Sequence, residues 1–384
     1  MNNIFNFIKK NNIGNPPWDY YFLQNLDEKE YPKYLAKLFY LNTGEKLPLS
    51  RGVIDKKRCK TFNQKLQWIK LYGVTPLMRD CTDKVKVRDY VKEKIGEEYL
   101  KPVLQVIPSC HSENLENQNG NSVDFQVVQN LKKELKEEKM LKHACINDKT
   151  ENKKINHTAV QHDRPLINFI TKSTDVSTYF DRINWDKLPN AFVIKTNHGC
   201  KWQYIIKDKN LFLQNKRLID IVKQQMTGWL EQEYFPWNGF EMQYKDIKSK
   251  IIIEKLFRNK NIINEDLEVY CFNGIPKIIR QIHNNGTNNV SLYDENFNKI
   301  NIKFLEQDII INKEINEILK QTIELSKKLS KDFSFVRVDW LIFEDKFYFN
   351  ELTFTPFSGF CHLDKKWNKQ LGNFINLKGN KNEF

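Results

Sequence analysis

The chain has no apolar run long enough to cross a bilayer, and its opening MNNIFNFIKKNN holds an apolar stretch too short for a signal peptide or a spanning helix. A helical membrane protein is therefore not expected. It also has no C-x-x-C. Its seven cysteines, at 59, 81, 110, 145, 200, 271 and 361, are odd in number and scattered. That pattern suits reduced thiols and a cytoplasmic location, not a disulfide framework. The Walker-A pattern G-x-x-x-x-G-K-[ST], the dinucleotide loop G-x-G-x-x-G and the D-x-D of metal–nucleotide-sugar sites are all missing. Zinc-finger spacing and RNA-binding signatures are missing too, and no local context supports a Ser–His–Asp or Cys–His nucleophile.

What is present is an excess of positive charge: 61 Lys and Arg against 48 Asp and Glu, a net +13. Nucleic acid, an anionic membrane surface and phosphorylated small molecules would each suit it. With no motif for the first, no nucleic-acid partner is expected. The lysines are spread among acids and asparagines, so a solvated Lys/Asn-rich surface explains the charge equally well. At 384 residues, 40% hydrophobic and 13% aromatic, the chain can form one large domain or two to three subdomains with a real core.

Residues 61–104 read as helix, turn, helix: Phe62, Leu66, Ile69 and Leu71 on one element, then Asp83 capping a second through Val87, Tyr90, Val91 and Ile95. Residues 105–175 are polar, Asn-rich and largely aperiodic, and read as a partly disordered insertion. FVIK and QYIIK are strands around a turn at Asn197-His198-Gly199. A helix near 215–232 and a strand KIIIEKLF at 250–257 follow. LEVYCFNG and IPKIIRQIH form a hairpin through Asn273-Gly274, and 312–331 is an amphipathic helix carrying Ile315, Ile318, Leu319 and Ile323. Helices with antiparallel strand pairs and no βαβ alternation predict an α+β fold. The expected parts are 1–104, the insertion 105–175, a central part 176–255 and a C-terminal part 256–384.

The stretch FVRVDWLIFEDKFYFNELTFTPFSGF, 335–360, poses the chemical question. A three-residue loop Glu344-Asp345-Lys346 sets Phe343 against Phe347, Asp339 against Glu351 and Arg337 against Thr353. The polar four then share a face, with Val336, Val338, Trp340 and Ile342 on the other. Two opposed carboxylates repel, unless a divalent cation such as Mg²⁺ lies between them. The alternative is a pair of edge-strand charges facing water. Lys195, at the end of FVIK before a flexible turn, can hold phosphate, or can be one more surface lysine. His198 suits a phosphate contact or general base, or a structural turn histidine. Lys84 alone is unremarkable. Cys110-His111 and His143-Ala-Cys145 could bind metal, but they lie in the polar insertion without the four-ligand spacing of structural zinc.

Taken together, TFNQKLQWIKLYGVTPL with CTDKVKVRDYVKEKIGEEYL, LPNAFVIKTNHG, YKDIKSKIIIEKLF with LEVYCFNGIPK, and the 335–360 stretch with WNKQLGNFINL resemble the TupA-like ATP-grasp family of bacterial surface-polysaccharide and teichuronopeptide synthesis. They occur in family order and cover most of 60–104 and 178–378. The resemblance implies an ATP-grasp fold, two α+β subdomains clamping ATP. It implies that Lys84 and Lys195 contact the ATP phosphates and that Glu254, Lys255 and Leu256 form the adenine hinge. Asp339 and Glu351 would hold Mg²⁺, and Arg337 would meet the transferred phosphate or the oxyanion.

Three positions depart from the family pattern. Thr353 stands where many relatives have a metal-binding Asn, Cys200-Lys201 replaces Ser-Gly, and Glu268 stands where Lys is expected. The implied activity is ATP-dependent ligation of a carboxylate, from a uronic acid or its sugar derivative, to an amine, in the cytoplasm beside membrane-bound polysaccharide machinery. A kinase, a glycosyltransferase and a non-catalytic ATP-binding module are the alternatives.

Overall fold

A computed structural model describes residues 23–108, 160–161, 179–237, 239–257, 265–283, 289–311 and 316–377. Early in the described residues come helix α1 (Tyr31–Thr43) and a two-strand ribbon, β1 (Leu49–Ser50) and β2 (Val53–Ile54). Helix α2 (Phe62–Tyr72) starts at a reciprocal cap: the Thr61 hydroxyl accepts from Gln64 N–H, and the Gln64 side chain accepts from Thr61 N–H. A seven-residue helix α3 (Pro76–Thr82), capped by Thr75, fills what the sequence reads as a turn. Asp83, expected to cap the next helix, instead ends α3 and accepts from Val85 N–H, while α4 (Val87–Ile95) begins after Lys86 with no side-chain cap.

A five-stranded sheet follows, in the order β3 (Val103–Pro108), β7 (Lys250–Lys255), β5 (Phe192–Thr196), β6 (Gln203–Ile206), β4 (Val160–Gln161). Strand β3 runs past residue 104, so the sheet takes in the first residues of the expected insertion; most of the rest of that insertion, with Cys110, His111, His143 and Cys145, lies outside the described residues. Helices α5 (Lys209–Gln214) and α6 (Lys216–Leu230) belong to this part. Val222, Met226 and Trp229 of α6 join Phe192, Ile194, Tyr204, Ile251 and Ile253 of the sheet in one buried core.

The second sheet has six strands: β11 (Ile309–Ile310), β10 (Asn289–Asp294), β9 (Ile275–His283), β8 (Glu265–Phe272), β12 (Phe335–Phe343), β13 (Lys346–Thr353). The β8–β9 turn is Asn273-Gly274 with both residues at positive φ (51° and 79°), the geometry that Asn-Gly supplies without strain. Helix α7 (Glu317–Ser330), capped by Asn316, buries Leu319, Ile323 and Leu329 beneath this sheet, while Ile315 falls outside the described residues. Helix α8 (Lys365–Phe374) packs back on α2. Phe62, Leu66 and Val91 of the N-terminal helices share this core with Val336, Val338 and Trp340. The helices read first in the chain thus support the sheet read last.

Candidate active site between the two sheets

Four neighbouring strands of the six-stranded sheet carry one row of charge. Arg280 of β9 lies opposite Glu268 of β8, Glu268 opposite Asp339 of β12, and Asp339 opposite Glu351 of β13. In the adjoining row Tyr270, Arg337 and Thr353 are neighbours. Arg337 grips Asp339 with two parallel bonds, Nε to Oδ1 at 2.7 Å and Nη2 to Oδ2 at 2.6 Å. Its Nη1 lies 3.3 Å from Glu268 Oε1. Arg280 donates to Glu268 at 2.9 Å and to Asp308 at 2.7 Å. The Thr353 hydroxyl lies 2.9 Å from Asp339 Oδ2 and 3.4 Å from Glu351 Oε1.

The expected pairing of Asp339 with Glu351 and Arg337 with Thr353 is present, but by a different route. The turn is two residues, Glu344-Asp345, and Phe343 faces Lys346, not Phe347. A bulge at Asn350 then shifts the register between Asp339 and Trp340. Phe347 and Phe349 therefore meet Trp340 edge-on at 5.6 and 6.2 Å in the core, while Glu351 and Thr353 turn to the cleft. A bulge re-aims the side chains beyond it. The two departures cancel at the residues that matter.

The five-stranded sheet supplies the opposite chemistry. Lys195, buried at the end of β5, reaches Glu254 of β7 at 2.7 Å, and Lys101 approaches the same carboxylate oxygen at 3.4 Å. Burial pushes Lys195 down to about 8, with Lys101 and Lys84 acting the same way and Glu254 opposing. Burial also works against the Glu254 charge, yet Lys101 and Lys195 outweigh it and hold the carboxyl at about 2. Lys101 donates as well to Asn350 at 2.7 Å, tying this cluster to the bulge of the other sheet. Lys84 bonds through its ammonium to the Gly199 carbonyl and through its backbone N–H to Asn197 O.

These side chains open on one cavity of about 730 Å³, whose lining includes Lys84, Lys195, Arg337, Asp339, Glu351 and Thr353. Glu254, Lys255 and Leu256 are not among its lining residues; Glu254 acts on it through Lys195. His198 does not line it either. Its Nε2 lies 3.0 Å from Trp229 O and 3.1 Å from Gln232 O, and its ring meets Trp202 edge-on at 5.4 Å. Burial pushes it down to about 4, so the ring is neutral near pH 7 and fastens the turn to α6. Of the two readings, the structural one describes this geometry.

The departures from the family pattern now have positions. Glu268 is the hub between Arg280 of the next strand and Arg337. Lys201 holds a φ of 61°, a conformation that glycine would adopt without strain. The preceding Gly199 is needed as it stands, because a Cβ there would lie 2.4 Å from the Trp202 ring.

The donor set suits a hard divalent cation. Asp339 and Glu351 are all-oxygen ligands, adjacent in register, and Mg²⁺ takes one or two carboxylates with phosphate oxygens and waters completing the shell. Burial raises the Asp339 carboxyl above the ordinary carboxylate range; Glu351 and Glu268 add to the shift and Arg337 opposes it. Among the described residues no group of three or more His, Cys, Asp and Glu side chains is placed to hold a metal alone, so phosphate oxygens would have to complete the shell.

Comparison with known sequences decides the family. The profile of the TupA-like ATPgrasp family matches residues 126–376. The chain belongs to the TupA-like ATPgrasp family. Its α+β architecture is accordingly an ATP-grasp fold. No curated protein matches. Among solved structures, D-alanine–D-alanine ligase from Bacillus anthracis is 14% identical over 91% of this chain and 92% of that one, with a TM-score of 0.39. The same ligase complexed with ATP is 13% identical, with 79% of this chain and 64% of that one covered, TM-score 0.30. Cdc123 from Schizosaccharomyces pombe, C-terminally truncated, is 10% identical over 79% and 94%, TM-score 0.28. The family assignment rests on the sequence match. Lys101, Arg280, Asp308 and Asn350 are among the charged and polar members of the site that sequence reading misses, and Glu241, Gln243 and Thr355 of the cavity lining are others. Arg280 interrupts the apolar IPKIIRQIH as Arg337 interrupts FVRVDW, and that signal could have found it.

Proposed function

We propose that this TupA-like ATPgrasp protein is an ATP-dependent carboxylate–amine ligase. One observation carries the reading: a single cavity is lined by Lys195 of one sheet, by Lys84 from the turn between two N-terminal helices, and by an Arg–carboxylate row from the other sheet. Lys84 and Lys195 would hold the phosphates of ATP. Asp339 and Glu351 would hold Mg²⁺, which when bound would neutralise charge on the phosphate oxygens. Arg337, fixed by Asp339 and Glu268, would face the transferred phosphoryl group or the oxyanion of the acyl centre. Phosphoryl transfer needs mainly positioning and charge neutralisation, which these side chains offer. The carboxylate would accept the γ-phosphoryl group, the amine would attack the acyl carbon, and phosphate would leave.

From the family's setting, the acid is a uronic acid or its sugar derivative in surface-polysaccharide synthesis, with the enzyme in the cytoplasm beside membrane-bound machinery. The structural fact beside this is narrow: among the described residues no helix is long and apolar enough to cross a membrane. Glu254, Lys255 and Leu256 keep the adenine-hinge role as part of the proposal, with Glu254 and Lys255 ending strand β7 and Leu256 following it. ADP release across a panel of uronates crossed with small amines, with mass detection of the amide, tests the reading. Release that needs both partners and yields the amide supports it. Release with the acid alone and no amide would make the protein a kinase.

A further inference from the structure

Away from the metal ligands, the same cavity has a second polar corner. It is built from Glu241, Gln243 and Thr355, which are 6%, 2% and 3% exposed, and all three line the cavity. The Thr355 hydroxyl oxygen lies 2.5 Å from Glu241 Oε1 and 2.7 Å from Gln243 Nε2. A hydroxyl has one hydrogen to give, and a carboxylate can only accept. Thr355 must therefore donate to Glu241 and accept from the Gln243 amide nitrogen. That fixes the amide orientation and leaves Gln243 Oε1 as a buried acceptor with no protein partner. An unsatisfied buried acceptor costs about 1–3 kcal/mol, so a donor is missing from this corner.

The missing donor sits next to a carboxylate. An acceptor oxygen beside a negative charge suits an N–H group of positive charge better than a hydroxyl or an anion. Lys70, fully buried in α2 with its ammonium 4.6 Å from the Phe360 ring centre, is the charged neighbour on the core side. Burial pushes Lys70 down to about 7, with Glu241 opposing. The turn Phe357-Ser358-Gly359 holds three successive left-handed residues, φ 50°, 54° and 71°, at the rim of this corner. Gln67 of α2 fixes it by donating to Ser358 O at 3.2 Å and Gly359 O at 2.8 Å.

We propose that Glu241, Gln243 and Thr355 form the acceptor subsite of the ligase reading above, taking the primary ammonium group of the amine substrate. Glu241 accepts one proton from the bound ammonium, which makes the nitrogen nucleophilic. The amine lone pair forms the C–N bond at the acyl carbon as the C–O bond to phosphate breaks. The second proton leaves the nitrogen with the phosphate, giving the amide, hydrogen phosphate and a protonated Glu241 that returns its proton to water. Gln243 Oε1 and the Thr355 network orient the nitrogen and take no proton.

The test is ligand-observed NMR on the full chain, with ethanolamine as probe, ethylene glycol as the amine-free control, and Mg-AMPPNP binding recorded separately. The expected result is that ethanolamine binds, ethylene glycol does not, and Glu241→Gln and Gln243→Met each weaken ethanolamine binding at least tenfold. Thr355→Ser restores wild-type binding where Thr355→Val does not, which a merely space-filling role for Thr355 would not produce. Thermal melts identify any variant that fails to fold. Equal ethanolamine affinity in wild type and both acceptor variants would overturn the assignment, as would no ethanolamine binding by a wild-type protein that binds Mg-AMPPNP. Failure of the wild type to bind Mg-AMPPNP would strike the ligase reading itself.

Discussion

The two sheets meet the cavity with buried ion clusters of opposite balance. At the five-stranded sheet two ammonium groups, Lys195 of β5 and Lys101 just before β3, share the single carboxylate of Glu254. At the six-stranded sheet two guanidinium groups, Arg280 and Arg337, stand among four carboxylates: Glu268 and Asp339 on the strands, Asp308 just before β11, and Glu351 opposite Asp339. Neither cluster is neutral within itself. Burying charge without full compensation is costly, and folding alone gives no reason to build one surplus of each sign across one cavity. A ligand with an anionic part and a cationic part completes both. Mg-ATP has that form.

The largest effect is expected where the negative surplus is reduced. Asp339→Asn or Glu351→Gln should lower turnover about a hundred- to a thousandfold, as loss of one pre-organised charged group typically does. Thermal melts should still show a folded protein, and near-normal ADP release by both variants would break the assignment of that surface to a cation.

On the lysine surface the effect should appear in stability as well. Lys195→Met leaves Glu254 buried with Lys101 as its remaining ion-pair partner, 3.4 Å away. Denaturant unfolding should show a loss of about 3 kcal/mol, the range for breaking one side of a buried pair. An unchanged midpoint would mean that Lys101 compensates alone.

Acid should separate the clusters again. Glu254 is held at about 2 against an ordinary 4.5, so its contribution is fully present above pH 4.5 and is lost as pH falls towards 2. That amounts to roughly 3 kcal/mol over the window. Glu254→Gln should flatten this limb of the unfolding free energy against pH. The same slope in wild type and variant would show that Glu254 is not the group titrating.

The smallest effect concerns the hairpin that presents the carboxylates. Glu344 holds a φ of 55° in the two-residue turn, and Glu344→Gly should stabilise by about 0.5 kcal/mol without touching the cavity. A drop in midpoint would mean that the Glu344 side chain does more than bear strain.

How far the sequence went depended on the range of the interactions. Local signals were readable: Asn273-Gly274 marked its hairpin, and charges inside apolar strands marked Arg337, Asp339 and Glu351. The bulge at Asn350 was not, because an extra residue in one strand leaves no mark when both phases place aromatics and acids in alternation. The row from Arg280 to Glu351 needs the non-local pairing of β8 with β12, which no local pattern fixes. Lys101 carries no motif at all; its place follows from two sheets meeting. His198 was flagged by residue type, and only burial and its two carbonyl partners separate anchor from catalyst.

Arg337 holds both oxygens of Asp339. Any cation arriving at that carboxylate therefore competes with a guanidinium already in place. It gains the difference between two pairings, not the whole of one. Such an exchange would leave Arg337 beside Glu268 and the Thr353 hydroxyl, with donors to spare for a phosphate. If Asp339 takes the cation as proposed, the clasp would act as a latch, loosening the group that the phosphate would then meet.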